Sequence, residues 1–387
     1  MVLIKEVSAD KISDSRGEKT IIVSLKTSVG YFKSSSPNGE SIGKYETKSY
    51  KKNLDEDIRT IKKISDYFSE EINCFDDLEK IEDILLGHVG ANTFFAFQSA
   101  ILKALAKEQK KEIWELINFS SRKLPRLVGN CVGGGKHSSV EKKPDFQEFL
   151  LIPEKDNMKN SFEMNNKAKK EIEIFLKKFD PKFKSEKNDE NAWMTSLNEK
   201  EILDILKKLK IPLGLDIAAS SFYKWKKYNY KNPLLKRDDD EQLEYISNLI
   251  KNFDLYYIED PFEENNFESF AKLLKKFPNK LIVGDDLTVT DYKRTKKAIE
   301  MKSINALIVK PNQCGSLLNV KKVCDLAKKN NIKIIFSHRS GETEENILAD
   351  LAFGFHADFF KAGITGKERE VKIKRLVKIE ESLNRNP

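Results

Sequence analysis

Five apolar runs in the second half of the chain each close on an ionisable residue. PLGLD ends at Asp216, LYYIE at Glu259, LIVGD at Asp285, INALIVK at Lys310 and IKIIFSH at His338. Three carboxylates, an amine and an imidazole at equivalent positions are the parts of an acid–base site built beside a hard cation. Magnesium takes oxygen ligands and shares its shell with water and substrate oxygens, and single carboxylates on successive elements suit it; histidine or cysteine there would favour zinc or iron. The same three acids also read as helix N-caps or surface groups, and only their recurrence at the ends of such runs favours a metal site. A lysine beside a divalent cation and another ammonium has its charged form disfavoured, so Lys310 is a candidate base. It also reads as a buried ion-pair partner, and Lys361, closing HADFFK, carries the same two readings.

His338-Arg339-Ser340-Gly341 follows a strand-like run and precedes a helix expected to start near Gly341. Free amides at a helix start, a guanidinium fork and a hydroxyl suit a phosphate or carboxylate. Two glycine-bearing segments, Pro37 to Gly43 with Ser41 and Gly133 to His137 with His137, read as lids over a charged pocket or as plain surface turns. Neither has the spacing and terminal Ser/Thr of a Walker A loop.

Short, β-branched, nearly continuous apolar runs are strands buried on both faces. If they are parallel and closed, their C-terminal ends meet on one rim, which is what would bring the five residues together. Helical spacing lies between them: Leu243, Ile246, Leu249, Ile250 and Phe253 before Glu259; Leu317, Val320, Val323, Cys324 and Ala327 behind an N-cap at Ser316; and Ile347, Leu348, Leu351 and Ala352 within Gly341 to Phe353. Repeated strand–helix alternation from Leu127 onward predicts a parallel sheet whose strand count fits a closed barrel. Before it, strands over Val2 to Val7, Thr20 to Lys26 and Tyr31 to Ser35 precede helices over Leu54 to Tyr67, Phe75 to Leu86 and Asn92 to Ala106. This predicts a small α+β unit over 1–125 and a barrel over 126–387, with Pro125 breaking the last helical pattern.

The chain has 387 residues, 34% of them charged, and a net charge of +8. Its lysines alternate with acids as on solvated helix faces and are not gathered with arginine and aromatics, so nucleic-acid binding is not expected. Charge appears within the first residues, no apolar run approaches the ~18 residues of a membrane span, and no secretory leader is evident. A cytoplasmic protein without a membrane partner is expected. Cys74, Cys131, Cys314 and Cys324 form no C-x-x-C pair and read as free thiols.

IEDPF at Ile258 to Phe262, GDDLTVT at Gly284 to Thr290 and SHRSGETE at Ser337 to Glu344 together closely resemble the enolases, in a divergent and shortened form. The likeness runs from Asp14-Ser15-Arg16-Gly17 to Ile379-Glu380-Glu381 and is strongest from Leu215 onward. It implies a variant (β/α)8 barrel with a small α+β cap, a homodimer, and a glycolytic lyase that dehydrates 2-phosphoglycerate to phosphoenolpyruvate. It further implies Asp216, Glu259 and Asp285 as ligands of a first Mg2+, with Ser41 joining a second that arrives with substrate. Lys310 would be the base, Glu190 the acid and Glu148 a second acidic group near the leaving hydroxyl. His137, Gln147, His338 and Lys361 would face substrate, and Arg339 and Ser340 would hold its phosphate. Several positions depart from the family. The acid loop, Asp-Glu-Gly-Gly in relatives, continues here from Glu190 into Asn191-Ala192; Gly363-Ile364-Thr365 replaces Gly-Ala-Pro; Gly133 stands where Asn is usual. If a loop glycine needs positive φ, Asn tolerates it and Ala does so poorly. These changes leave an enolase-like paralogue of little activity, kept as a binding or scaffold protein, as the alternative.

Overall fold

A computed structural model describes residues 1–40, 43–68 and 71–385. Val2–Ser13 pairs antiparallel with Lys19–Thr27, which pairs with Gly30–Ser35, and the two-residue strand Glu71–Ile72 lines the opposite edge. Helix Ala91–Gln109 lies on this sheet, and its first sixteen residues are buried almost without interruption. Helix Leu54–Ile64 begins at Asn53, whose side chain accepts the Glu56 amide, and carries three acids in its first turn, where the free N–H groups favour negative charge. The expected first unit is thus present as strands followed by helices.

Eight strands then close a barrel: Arg126–Gly133, Glu148–Leu151, Leu213–Asp216, Tyr257–Glu259, Leu281–Gly284, Ala306–Val309, Lys333–Ser337 and Phe359–Gly363. Phe359–Gly363 pairs in parallel with Arg126–Gly133 and completes the ring. One member differs, because Glu148–Leu151 runs antiparallel to both neighbours. Its first residue therefore lies on the rim where the other strands end, with Glu148 in register with Asp216.

Side chains two apart on a strand share a face. The barrel is filled by Val128, Leu150, Tyr257, Val283, Ile308 and Phe359, with a few neighbours. One inward step toward the rim from these plugs lie Asn130, Glu148, Glu259, Asp285, Lys310 and Lys361. The strand period alone aims those six side chains into the same mouth.

Two elements differ from the sequence expectation. After Asp216 the chain makes a three-stranded excursion, Tyr223–Lys224, Lys227–Lys231 and Leu234–Arg237, before helix Asp239–Phe253. The helix expected near Gly341 begins only at Ile347 and runs to Gly354. The residues between are committed elsewhere. Gly341 exchanges backbone hydrogen bonds with Asn38, and the Glu345 carboxylate accepts the amides of Asn346 and Ile347. The reading of 338–341 as a helix start with free amides for an anion is therefore corrected: the segment is a loop. Ser316, by contrast, caps helix Leu317–Lys329 as expected, accepting the Asn319 amide at 2.9 Å.

Candidate active site

The Lys361 amine is the hub of the rim. Its Nζ lies 2.8 Å from Asp216 Oδ2, 2.8 Å from both carboxylate oxygens of Glu259 and 3.0 Å from Glu148 Oε2. Burial alone would lower the pKa of this amine, but Asp216, Glu148 and Glu259 outweigh it and hold the ammonium well above its ordinary range. Three carboxylates around one ammonium leave surplus negative charge. Glu259 accordingly sits well above the usual carboxylate range, through burial first and Asp216 second.

Asp285 faces a different cation. Its Oδ2 accepts a hydrogen bond from Lys310 Nζ and its Oδ1 one from Gln313 Nε2 at 3.3 Å. Burial would push Asp285 up, yet the Lys310 ammonium holds it below its ordinary value. The converse applies to Lys310: burial would lower it, and Asp285 more than reverses that. The depressed pKa expected of a base beside a cation is thus replaced here by a raised one, because its nearest partner is a carboxylate.

Among the described residues, two trios of metal-ligating side chains have ligand atoms within 4.8 Å of one another, His137–Glu148–Glu190 and Asp260–Asp285–Asp286. Asp216, Glu259 and Asp285 are not such a trio, since Lys361 and Lys310 stand between them. All three are buried, on adjacent strands, and offer only oxygen. An internal ammonium already seated among Asp216, Glu259 and Glu148 is a stand-in for a cation, and an all-carboxylate donor set fits a hard divalent ion.

Glu148 also belongs to an acid pair with Glu190. Glu190 comes from the loop before the short strand Trp193–Met194 and is buried. Asn130 Nδ2 donates to its Oε2 at 2.8 Å, His338 Nε2 lies 3.6 Å from the same oxygen, and His137 Nδ1 is 3.5 Å from Oε1. Burial and then the neighbouring Asp189 raise the pKa of Glu190. Burial and then Glu190 raise that of Glu148, so the two carboxyls hold a proton between them more readily than either would alone. Burial lowers His137, and burial with Arg369, Lys361 and Lys310 lowers His338 much further, so both rings are neutral. Among the described residues, His137 Nδ1 and both ring nitrogens of His338 find no hydrogen-bond partner.

Gly39, His137, Gln147, Lys310, Ser340 and Lys361 share the lining of one cavity with the acid pair. The Arg339 guanidinium donates to Glu46 Oε2 at 3.0 Å and to Asn312 Oδ1 at 3.3 Å, and Ser340 Oγ accepts the Glu40 amide at 2.7 Å. Ser41 lies outside the described residues. Glu259 and Asp285 are not in its lining and adjoin it through the Lys361 and Lys310 amines that they hold, whereas the other site residues expected from the sequence line it.

Sequence reasoning missed Asn130, Glu46, Asn312 and Gln313. Asn130 was within reach: it is a polar interruption of the buried strand Arg126–Gly133, on the inward parity of Val128. The other three become visible only once loops distant in sequence pack together.

The acid loop answers the question its composition raised. Asn191 adopts φ 62° whereas Ala192 stays out of the left-handed region, so the residue that tolerates the conformation is the one that bears it. Asn188 Oδ1 accepts the amides of Glu190 at 3.1 Å and Ala192 at 2.8 Å, closing the turn.

A capped barrel whose rim sets an amine and carboxylates against a buried carboxylic acid defines an enzyme of the acid–base lyase type on the (β/α)8 scaffold. Comparison with known proteins narrows the class. The family model described as "Enolase, C-terminal TIM barrel domain" matches residues 121–387. The enolase of Methanothermobacter thermautotrophicus is 33% identical over 406 aligned positions, covering 98% of this chain and 97% of that protein. The enolase of Thermoplasma acidophilum is 32% identical over 404 positions, covering 98% of each. The Pyrobaculum aerophilum enolase reaches 40% identity over 276 positions, 68% of this chain and 66% of its own. The chain belongs to the enolase family of hydro-lyases.

Proposed function

We propose that this protein dehydrates 2-phosphoglycerate to phosphoenolpyruvate with Lys310 as base and Glu190 as acid. The observation that carries the reading is that an amine from the end of one barrel strand and a raised-pKa carboxyl from a separate loop line the same cavity. Lys310 removes the proton beside the substrate carboxylate, and the electron pair moves into that group, leaving two negative charges on its oxygens. Glu190 then protonates the departing C3 hydroxyl, and water and phosphoenolpyruvate result. Glu190 must carry its proton at that moment, which burial and Asp189 favour. Glu148, beside it, helps retain the proton. The neutral rings of His137 and His338, with nitrogens that have no partner among the described residues, hydrogen-bond substrate oxygens together with Gln147 and Lys361, while Arg339 and Ser340 take the phosphate.

Asp216, Glu259 and Asp285 are the residues that would hold Mg2+, with Ser41 contributing to a second ion that accompanies substrate. Bound magnesium supplies positive charge opposite the doubly negative carboxylate in a water-poor site. For the three carboxylates to serve one ion, the amines of Lys361 and Lys310 must release them. Lys310, freed from Asp285, then loses the partner that raises its pKa and becomes a better base.

Within this reading the segment 1–125 caps the barrel 126–387, and the protein works in the cytoplasm as a homodimer in glycolysis and gluconeogenesis. A small phosphorylated molecule is its partner, with neither nucleic acid nor membrane involved; among the described residues no helix is long and apolar enough to cross a membrane. Purified protein given magnesium and 2-phosphoglycerate should form phosphoenolpyruvate, followed by its ultraviolet absorbance, and a chelator should stop it. No product above a Lys310→Ala control would overturn the proposal in favour of a non-catalytic paralogue.

A further inference from the structure

Lys169 has no part in the chemistry above, yet it is a buried amine on helix Met158–Phe179, 3% exposed. Its Nζ donates to the backbone carbonyl of Asn191 and to Thr365 Oγ1, and its own carbonyl accepts the indole N–H of Trp193 at 2.9 Å. Two of these contacts hold the chain just after Glu190, at Asn191 and at Trp193, and the third ties it to Thr365. Burial first and the Lys187 ammonium second push the Lys169 pKa down to about 7. Charged or neutral, the amine still has N–H groups to donate.

Three positions singled out in the sequence, Gly133, Asn191 and Thr365, converge on this same loop. A Cβ at Gly133 would lie 2.2 Å from Asn188 Nδ2, so a side chain there is incompatible with the Asn188 that closes the turn. Asn191 carries the left-handed φ and offers its carbonyl to Lys169, and Thr365 supplies the other acceptor. Gly133, Asn188, Asn191, Thr365 and Lys169 are thus one interlocked frame. Nothing in this frame touches the cavity except through Glu190.

We infer that Lys169 is a positioning residue for the reaction: from outside the cavity it clamps the Asn191 carbonyl and so aims the Glu190 carboxyl at the leaving hydroxyl. The inference rests on the assignment of Glu190 as the acid. It separates two steps that the fold otherwise couples. Lys310 can exchange the substrate C2 proton with solvent without Glu190, whereas loss of water needs Glu190 in place.

The test is Lys169→Met, which keeps the length of the side chain and removes its donors, assayed on 2-phosphoglycerate with magnesium in deuterated water. A displacement of the acid by about 1 Å should lower the kcat for phosphoenolpyruvate formation by about 10-fold or more. KM and C2–H/D exchange should stay within about twofold of wild type by the same argument, since base and binding groups are untouched. Thr365→Val should act in the same direction with smaller amplitude, and it carries the test alone if Lys169→Met does not fold. Dehydration and exchange falling together would overturn the inference in favour of a general structural role, as would unchanged dehydration in both variants. A wild-type protein that forms no product would instead defeat the assignment of function, a separate outcome.

Discussion

At the scale of single residues the site is defined by an imbalance of buried charge. Asp216, Glu259 and Glu148 surround one ammonium, and Asp285 takes a second. A buried carboxylate stripped of its partner is strongly destabilising, so the arrangement persists only while each cation, internal or bound, stays available. Asp285→Ala should lower turnover by at least about 100-fold and weaken Mn2+ binding about 10-fold or more, by the logic that removing even supporting groups around a metal costs 10–100-fold. Mn2+ titration followed by electron spin resonance checks this, and unaltered affinity would remove Asp285 from the ligand set. Glu190 gives a prediction with a sign. As the proposed acid it is needed protonated, and its folded pKa lies above the ordinary 4.5. The kcat should therefore be full below that raised value and decline as pH rises through it. In Glu190→Gln kcat should fall about 10²–10⁴-fold, and the residual rate should lack that decline. A profile of the same shape in the variant would assign the limb to another group.

Elements decide which of these residues meet, and most of that was legible in the sequence. The apolar runs closing on Asp216, Glu259, Asp285, Lys310 and His338 are strands or lead directly out of them, and period two turns four of the five toward the axis; His338 follows Ser337, one residue past the inward position. What the runs could not disclose was the reversed strand Glu148–Leu151. An antiparallel strand presents its site residue first, so a search for charge at the end of an apolar run passes over Glu148. Pattern also misplaced the helix after Ser340, because the apolar spacing of Ile347 to Leu351 says nothing of whether the preceding residues are held by Asn38. The acid loop was ambiguous for a conformational reason, which the φ of 62° at Asn191 resolves. Asn191→Ala should destabilise the fold by about 1–2 kcal/mol, the penalty for Cβ in the left-handed region, whereas Asn191→Gly should be nearly neutral. Urea denaturation midpoints distinguish the two, and equal stability of the Ala and Gly variants would contradict the strained-loop account.

For the whole molecule, the cavity exists because the N-terminal unit is drawn onto the barrel mouth. Asn38 and Gly341 exchange backbone hydrogen bonds at 2.8 and 2.9 Å, Ser35 bonds Thr343 at 2.8 Å, Lys103 bonds Glu345 at 2.6 Å, and Asn312 Nδ2 reaches Asn92 Oδ1 at 2.9 Å. Such cross-links are invisible to periodicity, since each joins segments hundreds of residues apart through backbone or polar side-chain groups. The tightest point of closure is Gly39, where an added Cβ would fall 1.9 Å from the Arg339 guanidinium. Arg339 has little room to yield, being buried and engaged with Glu46 and Asn312. In Gly39→Ala either the loop lifts from the mouth or Arg339 leaves the position proposed for phosphate. Both routes spare the barrel core and the sheet of the small unit, so unfolding free energy should change by less than about 1 kcal/mol. Both open or distort the cavity, so kcat/KM for 2-phosphoglycerate should fall by about 10-fold or more, with most of the loss in KM if Arg339 is the part that moves. Inorganic phosphate offers an independent measure: its inhibition constant should rise in the variant. If kcat/KM and phosphate inhibition both match wild type, the approach of the 37–40 loop to Arg339 has no part in forming the site.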